Sequence, residues 1–146
     1  MKLDGSIDWL LVEDNPADVR LVREALRDAP RAVNLHAVED GDEALEFLER
    51  RGGHEEAPRP DLVLLDLNLP GIDGRQVLAR IKASEALREI PVVVMTTSDA
   101  GKDVHTCYAL HANCYVVKPI GLSELKRVLS AILSFWFDIV LLPGTA

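Results

Sequence analysis

Four apolar stretches of this sequence end in residues able to do chemistry. Leu62 to Leu65 run straight into Asp66, and the stretch IDWLLV runs into Glu13 and Asp14. The stretch IPVVVM ends at Thr96, and CYVV ends at Lys118-Pro119. A charged group closing a fully apolar run is costly unless something pairs with it. If the runs are parallel strands of one sheet, their carboxyl ends share an edge, where open α/β sheets collect function. Three carboxylates, a hydroxyl and one ammonium would then meet. Packed carboxylates repel and require a cation. All-oxygen ligation with room for water suits Mg²⁺, and Lys118 supplies a second positive charge. An aspartate held between such cations can attack phosphorus as a nucleophile, with the charge of the transferring group offset by metal and ammonium. Thr96 would donate a hydrogen bond to a phosphoryl oxygen.

Single members have plainer readings. Glu13 and Asp14 could do no more than cap the next helix, Thr96 suits a strand for its β-branching, and Lys118 could be a surface lysine before a turn. Asp66 is the hardest to explain that way. The joint occurrence at four strand ends is what points to a site.

The intervening pattern supplies the elements. Strands are expected over 7–14, 32–38, 61–66, 90–96 and 114–119. Amphipathic helices are expected over 17–29, 41–53, 74–84, 99–111 and 122–137. Asn15 and Pro16 mark the first helix start. Acids open the second helix, with Arg50 and Arg51 in its last turn, which suits the helix dipole. Gly101 weakens the fourth helix. Five strands alternating with five helices predict an α/β fold: a doubly wound, flavodoxin-like, five-stranded parallel sheet covered on both faces.

Composition narrows the function. The 146 residues are 48% hydrophobic and 27% charged, enough for one domain with an ordinary core. A net charge of −8 and a pI near 4.9 argue against nucleic acid as a partner, which would require a clustered basic surface. No stretch has the length to span a bilayer, and no signal peptide opens the chain. Cys107 and Cys114 have no metal-ligand or Cys-x-x-Cys spacing and read as reduced thiols of a cytoplasmic protein.

The motifs LLVEDN, LVLLDLNLPGIDG, VVVMTTS and YVVKP together resemble the receiver domains of two-component response regulators, from about residue 7 to residue 134. The resemblance implies that Asp66 accepts a phosphoryl group from a sensor histidine kinase in a phosphorelay. It implies Asp14, Asp66 and the backbone carbonyl of Asn68 as Mg²⁺ ligands, with Glu13 acting through water. Lys118 matches the phosphate-binding lysine, Thr96 the switch hydroxyl and Tyr115 the switch aromatic. The bond before Pro119 is expected to be cis. Asn68 and Ser98 match variable positions that tune dephosphorylation. Such a domain turns over no external substrate but assists its own phosphorylation and dephosphorylation.

VEDNPADVRLVREAL, HANCYVVKP and the tail SFWFDIVLLP are similar, more narrowly, to single-domain regulators paired with bacterial phytochromes, which implies a phytochrome-type kinase. Ala17, Arg20 and Glu24 on the first helix are candidates for kinase choice, or else an ordinary solvated face. Residues 135–146 form an apolar extension. Phe135, Trp136 and Phe137 are consecutive and cannot all face inward, so a homodimer contact is expected there. The chain after the fifth helix is too short for a DNA-binding fold, so output would pass by protein contact.

Three rivals share parts of this pattern. A flavodoxin-type protein needs a neutral phosphate loop where EDNPAD stands. An aspartyl phosphatase needs an acid at position 68, which is Asn. A receiver-like scaffold or phosphate sink, without a dedicated output, is the remaining alternative.

Overall fold

The computed structural model describes residues 5–143. Its central sheet holds β1 (Ile7–Val12), β2 (Val33–Val38), β3 (Leu62–Leu65), β4 (Val92–Thr96) and β5 (Cys114–Val117). All are parallel, in the order β2-β1-β3-β4-β5. The helices are α1 (Pro16–Arg27), α2 (Gly41–Glu49), α3 (Gly74–Ala83), α4 (Gly101–Ala109) and α5 (Leu122–Ser134). The expected doubly wound fold is present.

β1, β3 and β4 are buried along their whole length, which is why, the buried Asp8 apart, they read as nearly continuous apolar runs. Their side chains alternate between two cores. Leu10, Val12, Val63 and Leu65 pack with α2 and α3 residues such as Phe47, Leu78 and Ile81. Trp9, Leu11, Leu62 and Leu64 pack with Val22 and Leu26 of α1 and Leu129 and Leu133 of α5.

Several elements are shorter than their periodicity predicts, for local reasons. Strand β1 ends at Val12, before Glu13 and Asp14. Helix α1 begins at Pro16 because the Asn15 side chain accepts the Ala17 N–H at 2.9 Å. Helix α2 stops at Glu49, since Arg50 turns left-handed at φ 56° before the glycines are reached, leaving Arg50 and Arg51 outside the last turn. Asp73 closes a capping box with Gln76 at the start of α3. Helix α5 ends as an α-helix at Ser134 and widens into a π-helical turn, Phe135–Ile139.

That widening sorts the aromatic tail. Phe137 turns inward against Trp9, ring centroids 6.3 Å apart. Phe135 stays 49% exposed, with Trp136 edge-on to it. Arg31 ties the turn down, donating to the Phe137 carbonyl at 2.8 Å and to Asp138 at 3.0 Å. The chain thus folds Phe137 into its own core, packs Trp136 partly against it, and leaves Phe135, Ile139 and Leu141 facing solvent. Residues 144–146 of the expected extension lie outside the described residues. No helix among the described residues is long and apolar enough to cross a membrane.

Candidate functional site

Strand order reverses between β1 and β3, and the register there pairs Val12 with Leu65. The next residues, Glu13 and Asp66, therefore emerge side by side. Asp66 N–H donates to the Val12 carbonyl at 3.1 Å, which fixes the strand end. On the far side Thr96 pairs with Val117, and Lys118 N–H donates to the Thr96 carbonyl at 2.7 Å. Four strand ends thus converge, as expected from the sequence.

Asp66 is 6% exposed and fully engaged. Its Oδ1 accepts the Thr96 hydroxyl at 3.0 Å and the Asn68 N–H at 3.1 Å. Its Oδ2 accepts Lys118 Nζ at 2.8 Å. Lys118 also donates to Glu13 at 2.5 Å and to Asp18 at 2.9 Å. An ammonium has three protons, and three carboxylates take them. Thr96 is fully buried, and Asp14 stands exposed beside the buried Glu13 and Asp66.

The charges do not balance within the protein. Glu13, Asp14, Asp18 and Asp66 face a single lysine. Burial drives the Glu13 carboxyl up to about 7, with the nearby Asp66 charge adding to the push against the Lys118 and Asn15 hydrogen bonds. Burial also pushes Asp66 up, but Lys118, the Asn68 N–H and Thr96 outweigh it and hold it below the usual carboxylate range. Burial would lower the Lys118 ammonium, yet its bonds to Asp66, Glu13 and Asp18 raise it well above an ordinary lysine. One oxygen from each of Glu13, Asp14 and Asp66 lies within 4.8 Å of the others. This all-oxygen, net-negative set fits a hard divalent cation. The solvent-facing Asp14 leaves it an open side.

Sequence reasoning missed Asp18. Its signal was present: with the helix start fixed by Asn15 and Pro16, residue 18 falls in the first turn of α1, directly over the sheet edge.

One expectation is corrected. The bond before Pro119 is trans, since the described residues contain no cis peptide; trans is the intrinsically favoured X–Pro form, and Lys118 reaches its three partners from it. Phosphorylation is expected to draw Thr96 toward the site and turn Tyr115 inward, as a shift between two packings. Here Thr96 already bonds Asp66, and the Tyr115 hydroxyl already donates to the Ser98 carbonyl at 2.8 Å. The Asp66 carboxylate is itself the acceptor for the Thr96 hydroxyl.

Ala17 and Arg20 are exposed on α1, and Glu24 is paired with Arg27 at 3.1 Å.

Comparison with known proteins fits this geometry. Residues 9–130 match the response regulator receiver domain. The chain is 49% identical over 135 residues to the response regulator Rcp1 of Synechocystis sp., covering 92% of each chain. Among solved structures it is similar to the phosphorylated cyanobacterial phytochrome response regulator RcpA, with 45% identity, a TM-score of 0.90, and coverage of 95% of this chain and 99% of that one. It is also similar to the Mn²⁺-bound form of Rcp1, with 48% identity, a TM-score of 0.86, and coverage of 94% and 99%.

Proposed function

The chain belongs to the response regulator receiver family, and on that premise we propose that Asp66 is its phosphoacceptor. The observation that carries this is the bonding of Asp66: a buried, ionised carboxylate held by Thr96, Asn68 and Lys118 beside two further acids. A carboxylate oxygen of Asp66 forms the new O–P bond as the P–N bond of the donor phosphohistidine breaks, and the imidazole, protonated on its other ring nitrogen, departs as the neutral base with the electron pair. Lys118 gives up a carboxylate to meet a phosphoryl oxygen, and Thr96 turns its hydroxyl from Oδ1 to another. Mg²⁺ held by Asp14, Asp66 and the Asn68 carbonyl, with Glu13 through water, would offset the charge of the transferring group. The Mn²⁺-bound relative supports a divalent ion at such a site.

Because Thr96 and Tyr115 already sit inward, phosphorylation acts by population shift. A phosphoryl group adds roughly −1.5 to −2 charges and three acceptors, which favours the arrangement already sampled over one with Tyr115 turned out. The donor is a sensor histidine kinase, of phytochrome type by similarity to RcpA, and the exchange takes place in the cytoplasm, in keeping with two free thiols. The protein is an acceptor and relay rather than an enzyme with an external substrate. Purified chain incubated with a phosphorylated phytochrome-type kinase should gain one phosphoryl group by intact mass with Mg²⁺ and none with excess chelator. Uptake indifferent to chelator would reject the metal assignment.

We further assign residues 135–146 as a homodimer contact beyond the receiver domain proper at 7–134. Phe135, Ile139 and Leu141 are 49%, 70% and 98% exposed, and this apolar exposure within seven residues supports a second copy of the chain as occupant. Trp136 braces Phe135. Cutting the chain at Ser134 would remove Phe137 from the core and confuse the result. The pair of surface changes Phe135→Asp and Ile139→Asp avoids that. Light scattering at micromolar concentration is expected to give a dimer for the parent and a monomer for the double variant; a monomeric parent, with or without a phosphoryl mimic, rejects the contact.

A further inference from the structure

We propose that Arg75, Asp103 and Ser98 form a latch that holds Tyr115 inward, making Arg75 and Asp103 positioning residues for the switch. The proposal rests on the reading of Tyr115 as the switch aromatic, and adds what restrains it.

The bonds run continuously from α3 through α4 and the β4–α4 loop to β5. Arg75, the second residue of α3, donates through its guanidinium to Asp103 Oδ1 in the first turn of α4. Asp103 Oδ2 accepts the Ser98 hydroxyl at 2.6 Å. The Ser98 carbonyl accepts the Tyr115 hydroxyl at 2.8 Å. Ser98 is therefore held at both ends, by its side chain to α4 and by its carbonyl to β5. Its hydroxyl also accepts the Ala100 N–H at 3.3 Å. Helix α4 has no side-chain N-cap of its own, because Ala100 occupies that position. Asp103 and Ser98 organise this helix start instead.

The other end of the latch lies under the phosphoacceptor. Gly74 precedes Arg75 and packs so closely on the Asp66 backbone that a Cβ there would stand 2.2 Å from the Asp66 carbonyl oxygen. Arg75 N–H is fixed to Asp73 Oδ1 at 2.8 Å. Movement of the Asp66 loop is thereby passed to Arg75 without passing through Thr96. Tyr115 N–H, on the sheet edge, meets the Tyr108 hydroxyl of α4 at 3.2 Å, so the α4 position set by the latch also sets the surroundings of β5. An ordinary surface ion pair contributes little. This one differs because Arg75 and Asp103 are mostly covered, 31% and 23% exposed, and a serine and a tyrosine depend on it.

The test uses the full chain without a phosphoryl group, as parent, Arg75→Ala, Asp103→Ala, Arg75→Lys and Ser98→Ala. The Tyr115 ring resonances, assigned through Tyr115→Phe, report inward against outward population. Both Arg75→Ala and Asp103→Ala are expected to move those resonances toward a solvent-exposed tyrosine, with roughly a fivefold fall in the inward-to-outward ratio, the scale of one charge-assisted hydrogen bond discounted for exposure. Arg75→Lys should recover part of the shift, which a purely structural loss would not show. Ser98→Ala, which removes one hydroxyl and leaves the ion pair, should shift the ring in the same direction and serves if either alanine variant fails to fold. Unchanged Tyr115 resonances in folded Arg75→Ala and Asp103→Ala, or in Ser98→Ala where those do not fold, would overturn the latch. The ring readout needs no phosphoryl group. A parent that takes up no phosphoryl would therefore reject the Asp66 assignment and leave this result standing.

Discussion

Lys118→Ala is expected to cost the metal-free protein about 3–5 kcal/mol of stability, the scale for removing one partner of a buried ion pair. The loss falls on Glu13 and Asp66, whose side chains are 4% and 7% exposed and which share the same ammonium. Lys118 pulls both carboxyls down against the upward push of burial. Without it Glu13, already raised to about 7, is pushed further up, and Asp66 loses the bonds that hold it below its unfolded value against burial. A carboxyl raised in the folded state stabilises below its unfolded pKa and loses that contribution as pH climbs through the folded one. The deficit should therefore grow between about pH 5 and pH 8. Urea unfolding at both pH values, with chelator, measures it. Added Mg²⁺ should return part of the loss, since any ligand bound only by the folded state raises its stability. Phosphorylation should slow by roughly 10²–10³-fold, the scale for removing one preorganised charge donor. A variant as stable as the parent at pH 8 would mean that the three bonds at Lys118 carry no net energy.

Gly74→Ala is expected to damage the site from below. A methyl group at residue 74 would stand 2.2 Å from the Asp66 carbonyl oxygen, 2.6 Å from Leu67 Cα and 3.0 Å from the Asp66 carbonyl carbon. All three are backbone atoms and cannot swing aside. Gly74 is buried, and its N–H donates to the Leu67 carbonyl at 3.0 Å, so the α3 start is tied to the turn that follows Asp66. Overpacking of this kind costs typically 1–3 kcal/mol. The relief must displace Asp66 relative to Thr96 and Lys118, and a shift of an ångström is enough to reduce a positioned reaction about 100-fold. Gly71→Ala offers the contrast. There φ is +72° and the nearest atom is the end of the Asp42 side chain at 3.4 Å. It should lose stability through backbone strain while an intact fold still accepts phosphoryl at close to the parental rate. Equal phosphorylation rates in Gly74→Ala and the parent would show that the turn does not set the position of Asp66.

The sequence carried the sheet because burial on both faces leaves a signature that composition cannot hide: Leu62 to Leu65 and Val92 to Val94 have no polar member. It carried Asp66, Glu13, Thr96 and Lys118 for the same reason, as chemistry standing directly after such runs. What it hid depends on contacts between distant elements. Asp18 is one acid among many on an amphipathic helix until the sheet edge is placed beneath it. Arg75 and Asp103 are unremarkable charges until α3 and α4 are set side by side. The fifth helix was expected to continue to Phe137 because its apolar spacing does not break there. The change to a π-helical turn at Phe135 comes from packing of Phe137 on Trp9 and from Arg31, both remote in sequence. The left-handed Arg50 was equally illegible, since glycines two residues on offered a more obvious stop.

Asp66 is the residue proposed to carry the phosphoryl group. Reduction of the freshly phosphorylated protein with borohydride tests this most directly, because hydride converts an acyl phosphate carbon to an alcohol and marks the residue that carried it. Peptide mass analysis is expected to find homoserine at position 66 in the parent treated with phosphodonor and Mg²⁺, and none in Asp66→Asn or in the parent treated with chelator. Homoserine at position 14 or another aspartate, or equal phosphoryl uptake by Asp66→Asn, would contradict it.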